Sequence, residues 1–186
     1  MIVCKAFELG LVCRGYQFHL GLNTTEEANC RQNGFHCAAN PLDCLSYYGN
    51  MDRAEYWLVD AGGDVDEDEY DSKVSCTELT ILKQLSRKDF FMFALAYMCD
   101  HPLEKWNKRV NKEHGIAENG FVVVRGVDPR AKGKRGDILA LAKESPDGSK
   151  ILQIGLATVD GKSILANTWY GVDLKKRRFA SQSQCA

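Results

Sequence analysis

His36 and Cys37 are adjacent residues whose types could do chemistry: an imidazole that titrates near neutrality beside a nucleophilic thiol. They lie in Asn33-Gly34-Phe35-His36-Cys37-Ala38-Ala39-Asn40-Pro41-Leu42-Asp43-Cys44, which reads as a short strand entering a helix. Gly34 permits a positive φ, and Asn40 is a good N-cap. Pro41 at the first helical position gives up an N–H that would be unpaired in any case. The junction is expected to place His36 and Cys37 beside a helix N-terminus, whose partial positive charge favours anions and thiolates. Neighbours on a strand point to opposite faces, so the two are poor partners for a Cys–His nucleophile. Cys30, Cys37 and Cys44 recur every seven residues, wider than the close pairs of zinc sites, so buried thiols are the plainer reading and no metal is expected.

Two charged stretches offer binding chemistry instead. Residues 60–71 carry Asp64, Asp66, Glu67, Asp68 and Glu69 among glycines, and read as an exposed loop of mutually repelling carboxylates. They lack the ligand order of a calcium loop. Residues 125–136 hold Arg130, Lys132, Lys134 and Arg135 in a basic, glycine-rich stretch without the GxxxxGK[ST] of a phosphate-binding loop. With Trp169 and Tyr170 available for stacking, and a second basic run at 175–178, this stretch is expected to face phosphates or an acidic protein surface.

The elements that must position these residues follow from periodicity and turn chemistry. Residues 2–8 read as a strand and 16–18 as another. Thr24 with Glu27 has the form of a capping box, predicting a short helix over 25–31. Residues 55–59 and 73–82 read as strands. Ser86 with Asp89 caps a helix whose apolar face holds Phe90, Phe91, Phe93, Ala94, Tyr97 and Met98, ended by His101-Pro102. A basic amphipathic helix is expected over 103–114, stopped at Gly115. From Gly120 the apolar pattern suggests strands at 121–124, 137–142, 150–159 and 162–170, with turns at Pro146-Asp147-Gly148 and Asp160-Gly161 and a last strand near Arg178-Phe179. The fold expected is α+β: an N-terminal mixed α/β layer over 1–115, then a C-terminal antiparallel meander over 119–186.

With 186 residues, 45% hydrophobic and 26% charged, the chain can bury a core without covalent staples. A net charge of -1 provides no global attraction to nucleic acid or membrane. Eight dispersed cysteines without a CxxC pair, and an N-terminus without an apolar leader, predict reduced thiols in a cytoplasm.

Cys13-Arg14-Gly15-Tyr16-Gln17-Phe18, Gly34-Phe35-His36-Cys37 and Asn40-Pro41-Leu42-Asp43 resemble an uncharacterised bacteriophage and prophage family, as do Lys132-Gly133-Lys134-Arg135-Gly136-Asp137, Val159-Asp160-Gly161-Lys162 and Thr168-Trp169-Tyr170. That resemblance implies a phage origin and no particular chemistry. It frames the expected function: an inhibitor of host defence that binds stoichiometrically to a host nucleic-acid-handling nuclease, most concretely an anti-CRISPR protein blocking a Cas effector. The acidic stretch would then mimic phosphates in a positive groove, with weak nucleic-acid contact from the basic one and no cofactor. A second resemblance is to ADP-ribosyltransferase-like folds, with Arg14-Gly15 on an early strand, Gly34-Phe35 before a short helix, and Glu78 on a later strand. It implies that Arg14 would hold the phosphates of NAD and Glu78 would stabilise the oxocarbenium-like centre, although His36-Cys37-Ala38 replaces the usual Ser-Thr-Ser. A phage structural protein is the remaining alternative.

Overall fold

The computed structural model describes residues 1–30, 32–68 and 72–178. Strand accounts for 49% of it and helix for 10%, so the α+β expectation is corrected to a nearly all-β fold with two sheets and two helices. The chain divides into two compact units, Met1–His101 and Pro102–Ala186.

The first unit is built on β1 (Ile2–Glu8), β2 (Val12–Cys13), β3 (Tyr16–Gln17), β4 (Gly21–Thr24), β5 (Phe35–Ala38), β6 (Ala54–Glu67) and β7 (Lys73–Leu85). β1 pairs antiparallel with β6 over its whole length and with β5 at Cys4↔Ala38, while β7 pairs with both β5 and β6. The four strands therefore close a ring of pairings, which removes most of the unpaired edge. Inside it pack Val3, Phe7, Phe35, Cys37, Val59, Ala61, Val74, Cys76, Leu79 and Ile81, with Phe18 added from the segment after β3. Alternation along β7 slips between Cys76 and Leu79, where its edge partner changes from β5 to β4. On the other edge Gly63 and Asp64 together oppose Thr77, a bulge whose loose N–H, that of Asp64, donates to Thr77 Oγ1 at 2.8 Å.

The acidic stretch is thus corrected from loop to strand: Asp64, Asp66 and Glu67 lie on β6, and Asp68 N donates to Lys73 O at 2.9 Å where the hairpin turns. Glu69 lies outside the described residues. The helix predicted over 25–31 is also absent from 25–30. Asn33 Oδ1 accepts from Asn29 N (2.6 Å) and Asn33 Nδ2 donates to Glu27 (2.8 Å), so local side-chain turns outcompete a helix too short to sustain itself.

Helix α1 (Pro41–Cys44) starts where expected, with the Asn40 carboxamide accepting from Leu42 N at 3.1 Å. It buries Leu42 and Cys44 against β1 and β5. Helix α2 (Arg87–Asp100) carries the full Ser86/Asp89 capping box and buries Phe90, Phe91, Ala94, Leu95 and Met98. Phe90 meets Tyr56 of β6 at 4.4 Å between ring centroids. Phe93, expected on the buried face, is exposed.

In the second unit β8 (Val110–Ile116) occupies the end of the predicted helix 103–114, which does not form. Pro102 and Asn107 punctuate that stretch, and the Asn107 side chain accepts from Arg109 N at 2.8 Å. The central strand is β9 (Phe121–Lys132), followed by β10 (Ile138–Glu144), β11 (Ile151–Thr158) and β12 (Tyr170–Gly171). β10 and β11 are antiparallel, but β8 and β10 both run parallel to β9, correcting the expected meander. Most of the stretch 125–136, read as a basic loop, supplies the crossover that parallel pairing requires: the far half of β9 runs out along β8 and β12 before a short turn returns to β10. Glu113 sits at a bulge of β8 with φ 61, and its carboxylate accepts from Val127 N and Asp128 N at the start of that outward half. The core holds Val122, Val124, Ala131, Leu139, Leu141, Ala157, Val159, Ile164, Tyr170 and Val172. The expected strand at 162–170 is reduced to its last residue, Tyr170.

Candidate nucleic-acid interface

Lys108, Arg109, Asn111 and His114 line a hollow of about 530 Å³ in the second unit, with Trp169 as its aromatic wall and Glu118 as its carboxylate. The basic residues arrive there because the chain passes from the Asn107 turn, which carries Lys108 and Arg109, directly into β8, which carries Asn111 and His114. Gly115 lets this strand come close: a Cβ there would stand 2.6 Å from Val122 Cγ2. Trp169 is fixed by its backbone, since Asn167 N donates to Gly133 O (2.8 Å) and Arg177 N to Trp169 O (2.8 Å). Lys132 Nζ lies 4.9 Å from the Trp169 ring centroid, a cation held against the aromatic wall. Lys108, Arg109 and His114 thus share one hollow with a half-buried indole that Lys132 backs, an arrangement suited to an anion that carries a flat ring.

The predicted site residues scatter. Lys132 and Trp169 meet at this cleft. Arg130, on β9, pairs with Asp128 at 2.6 Å and donates to Arg178 O. Lys134 and Arg135 are exposed on the turn before β10, where Asp137 accepts from Lys134 N at 2.7 Å. Tyr170, expected as a stacking residue, is corrected to a core residue: it is 1% exposed and its hydroxyl accepts from Leu165 N at 2.7 Å. The sequence reading marks none of Lys108, Arg109 and Asn111 as a site residue, because a helix over 103–114 spreads them around an axis. The Pro102 and Asn107 turn signals could have found them.

At the strand–helix junction the expected activated thiolate is corrected. The hydrogen bond with Cys76 and burial push the Cys37 thiol well up, and its Sγ points inward to Val74 O at 3.7 Å. Burial, then the cations Lys5, Lys73 and Arg14, hold His36 below its ordinary value. Among the described residues no three His, Cys, Asp or Glu side chains are placed to hold a metal ion. Asp66 accepts from Cys30 N at 2.6 Å, tying one acidic side chain of β6 to the 25–30 segment.

Arg14 stands exposed on the turn between β2 and β3, and Glu78 is exposed on β7 between Thr24 and Gly62. β1 and β5 lie between β2 and β7 in the sheet, and among the described residues no hydrogen bond joins the pair. Cys37 and Ala38, in place of the transferase polar residues, are buried.

No helix of the described residues is long and apolar enough to cross a membrane. No curated protein and no solved structure matches the chain. A family model does match, over residues 1–93, so it covers most of the first unit and none of the cleft. The chain belongs to that family, described as a domain of unknown function (DUF7666).

Proposed function

We propose that the protein acts by stoichiometric binding, its cleft taking a single-stranded nucleic acid by phosphate and base. The observation that carries this reading is the gathering of Lys108, Arg109 and Trp169 around one hollow, with Lys132 behind the indole. Basic side chains supply sequence-independent affinity for phosphates, and an indole face accepts any base. The narrower form is a phage-encoded inhibitor of host defence that engages a nucleic-acid-loaded nuclease such as a Cas effector. Its support is the family resemblance together with the exposed acidic side chains of Asp64, Asp66 and Glu67 on β6, a run of negative charge of the kind that a groove built for phosphates attracts.

Fluorescence anisotropy with a labelled single-stranded oligonucleotide tests the first part. Binding that weakens at least tenfold in Lys108→Ala/Arg109→Ala and in Trp169→Ala supports it, whereas equal binding by all three proteins refutes it. For the narrower form, guide-loaded Cas nuclease is titrated with the protein and DNA cleavage is followed. Loss of cleavage at one equivalent supports inhibition, and full cleavage at tenfold excess rejects that target class.

A further inference from the structure

Cys13, at the end of β2, is half-buried, and two proton donors converge on its sulfur. Tyr48 Oη donates at 3.2 Å and Lys5 Nζ at 3.8 Å. Lys5 is the unusual partner. It is 3% exposed, its ammonium lies 5.1 Å from the ring centroids of both Phe7 and Phe18, and it donates to His36 O at 2.5 Å. Among the described residues no carboxylate pairs with it, so the only side chain bonded to this buried ammonium that can become an anion is Cys13. A buried charge without a counter-ion is costly. Ionised Cys13 removes that cost, and the Tyr48 hydroxyl adds a second hydrogen bond to the anion. Burial first, then the hydrogen bond to Cys13, keep Tyr48 protonated and donating.

The other charged groups around the cluster are mostly cationic. Arg14 follows Cys13 on the turn, and Lys73 of β7 and half-buried His36 of β5 lie on the Lys5 side. Glu8 of β1 is the opposing carboxylate, and it is exposed. Among the other thiols of this unit, Cys4, Cys37, Cys44 and Cys76 are buried with carbonyl or thiol partners for their sulfurs, and half-buried Cys30 donates to the Asp68 carboxylate and Lys73 O rather than receiving from a cation.

We propose that Cys13 is a modification site, the reactive thiol through which this protein takes a low-molecular-weight disulfide. Sγ of the thiolate attacks one sulfur of the disulfide. A new S–S bond forms as the old one breaks, Cys13 is oxidised into the mixed disulfide, and the departing sulfur leaves reduced, as a thiolate that takes its proton from water.

The test uses the native full-length protein with oxidised glutathione at pH 7, quenched in acid and mapped by peptide mass spectrometry. Cys13 is expected to be labelled about fivefold faster or more than Cys99, which is exposed on α2. Lys5→Met is expected to bring Cys13 down to the rate of Cys99. Tyr48→Phe removes one hydroxyl only and keeps the test open should Lys5→Met fail to fold; it is expected to slow Cys13 about twofold or more. Cys13 reacting no faster than Cys99, or at an unchanged rate in a folded variant, overturns the proposal.

Discussion

Single residues in this protein are fixed by what surrounds them rather than by their own propensities, and Gly34 is the sharpest case. Its φ is +84°, and a Cβ would fall on Ser75 Oγ and 2.9 Å from Ala28 Cα. Ser75 is fully buried and donates to Asn33 O at 2.6 Å, so it cannot swing aside without breaking that bond. Gly34→Ala is therefore expected to cost about 2–3 kcal/mol, read as a lower urea midpoint, from strain and a displaced buried hydroxyl together. His36 gives a pH signature. Burial and the nearby cations lower its folded-state pKa from 6.5, so the unfolded chain binds the proton more readily. Stability contributed by the neutral ring is present above pH 6.5 and is lost as pH falls below it. Urea midpoints measured from pH 7.5 to 5 should fall in the native protein and fall less in His36→Gln.

At the scale of elements, two capping-box patterns with the same spacing had opposite outcomes. Ser86/Asp89 opens a 14-residue helix because the residues after it are apolar and free of Gly and Pro. Thr24/Glu27 is followed by Asn29, Asn33 and Gly34, whose side chains and φ favour turns. Strand β9 carries the clearer lesson. Phe121 to Gly126 are all buried, as are Ile138 to Ala142 of β10, so both faces are covered. Continuous apolar runs of this kind mark parallel, doubly covered strands, whereas true alternation marks a half-exposed meander. The distinction was legible in Phe-Val-Val-Val and Ile-Leu-Ala-Leu-Ala. Nothing local revealed that Arg125, in the basic stretch, is a core residue. It is 3% exposed, pairs with Glu144 at 2.8 Å, donates to Pro102 O at 2.6 Å and lies 4.9 Å from the Trp106 ring centroid. Its partners come from sequence positions 19 and 23 away, beyond any pattern of spacing. Glu144→Gln would leave the guanidinium buried without its counter-charge, at a cost of about 3 kcal/mol in unfolding free energy, read as a lower urea midpoint. The double substitution Arg125→Met/Glu144→Leu should recover part of that loss, because it removes the uncompensated charge.

For the whole molecule, a net charge of -1 means that binding to a polyanion draws little from the overall field. Whatever affinity the cleft has for nucleic acid must come from Lys108, Arg109 and Lys132, offset by Glu118, so few phosphates are neutralised. For a single strand each neutralised phosphate contributes a slope of about −0.7 in log affinity against log salt, so two or three contacts predict roughly −1.4 to −2.1. Lys108→Ala should reduce the steepness by about 0.7, and Trp169→Ala should weaken binding while leaving the slope unchanged, because stacking releases no counter-ions. Affinities from 50 to 300 mM salt separate these terms in one experiment. A steep slope unaffected by Lys108→Ala would place the nucleic acid on another cationic surface, and a slope near zero would remove phosphate contact from the mechanism. The predicted combination, a shallow slope with strong dependence on one indole, describes a protein that grips a short exposed segment. That is the behaviour expected of one that acts on nucleic acid already held by an enzyme.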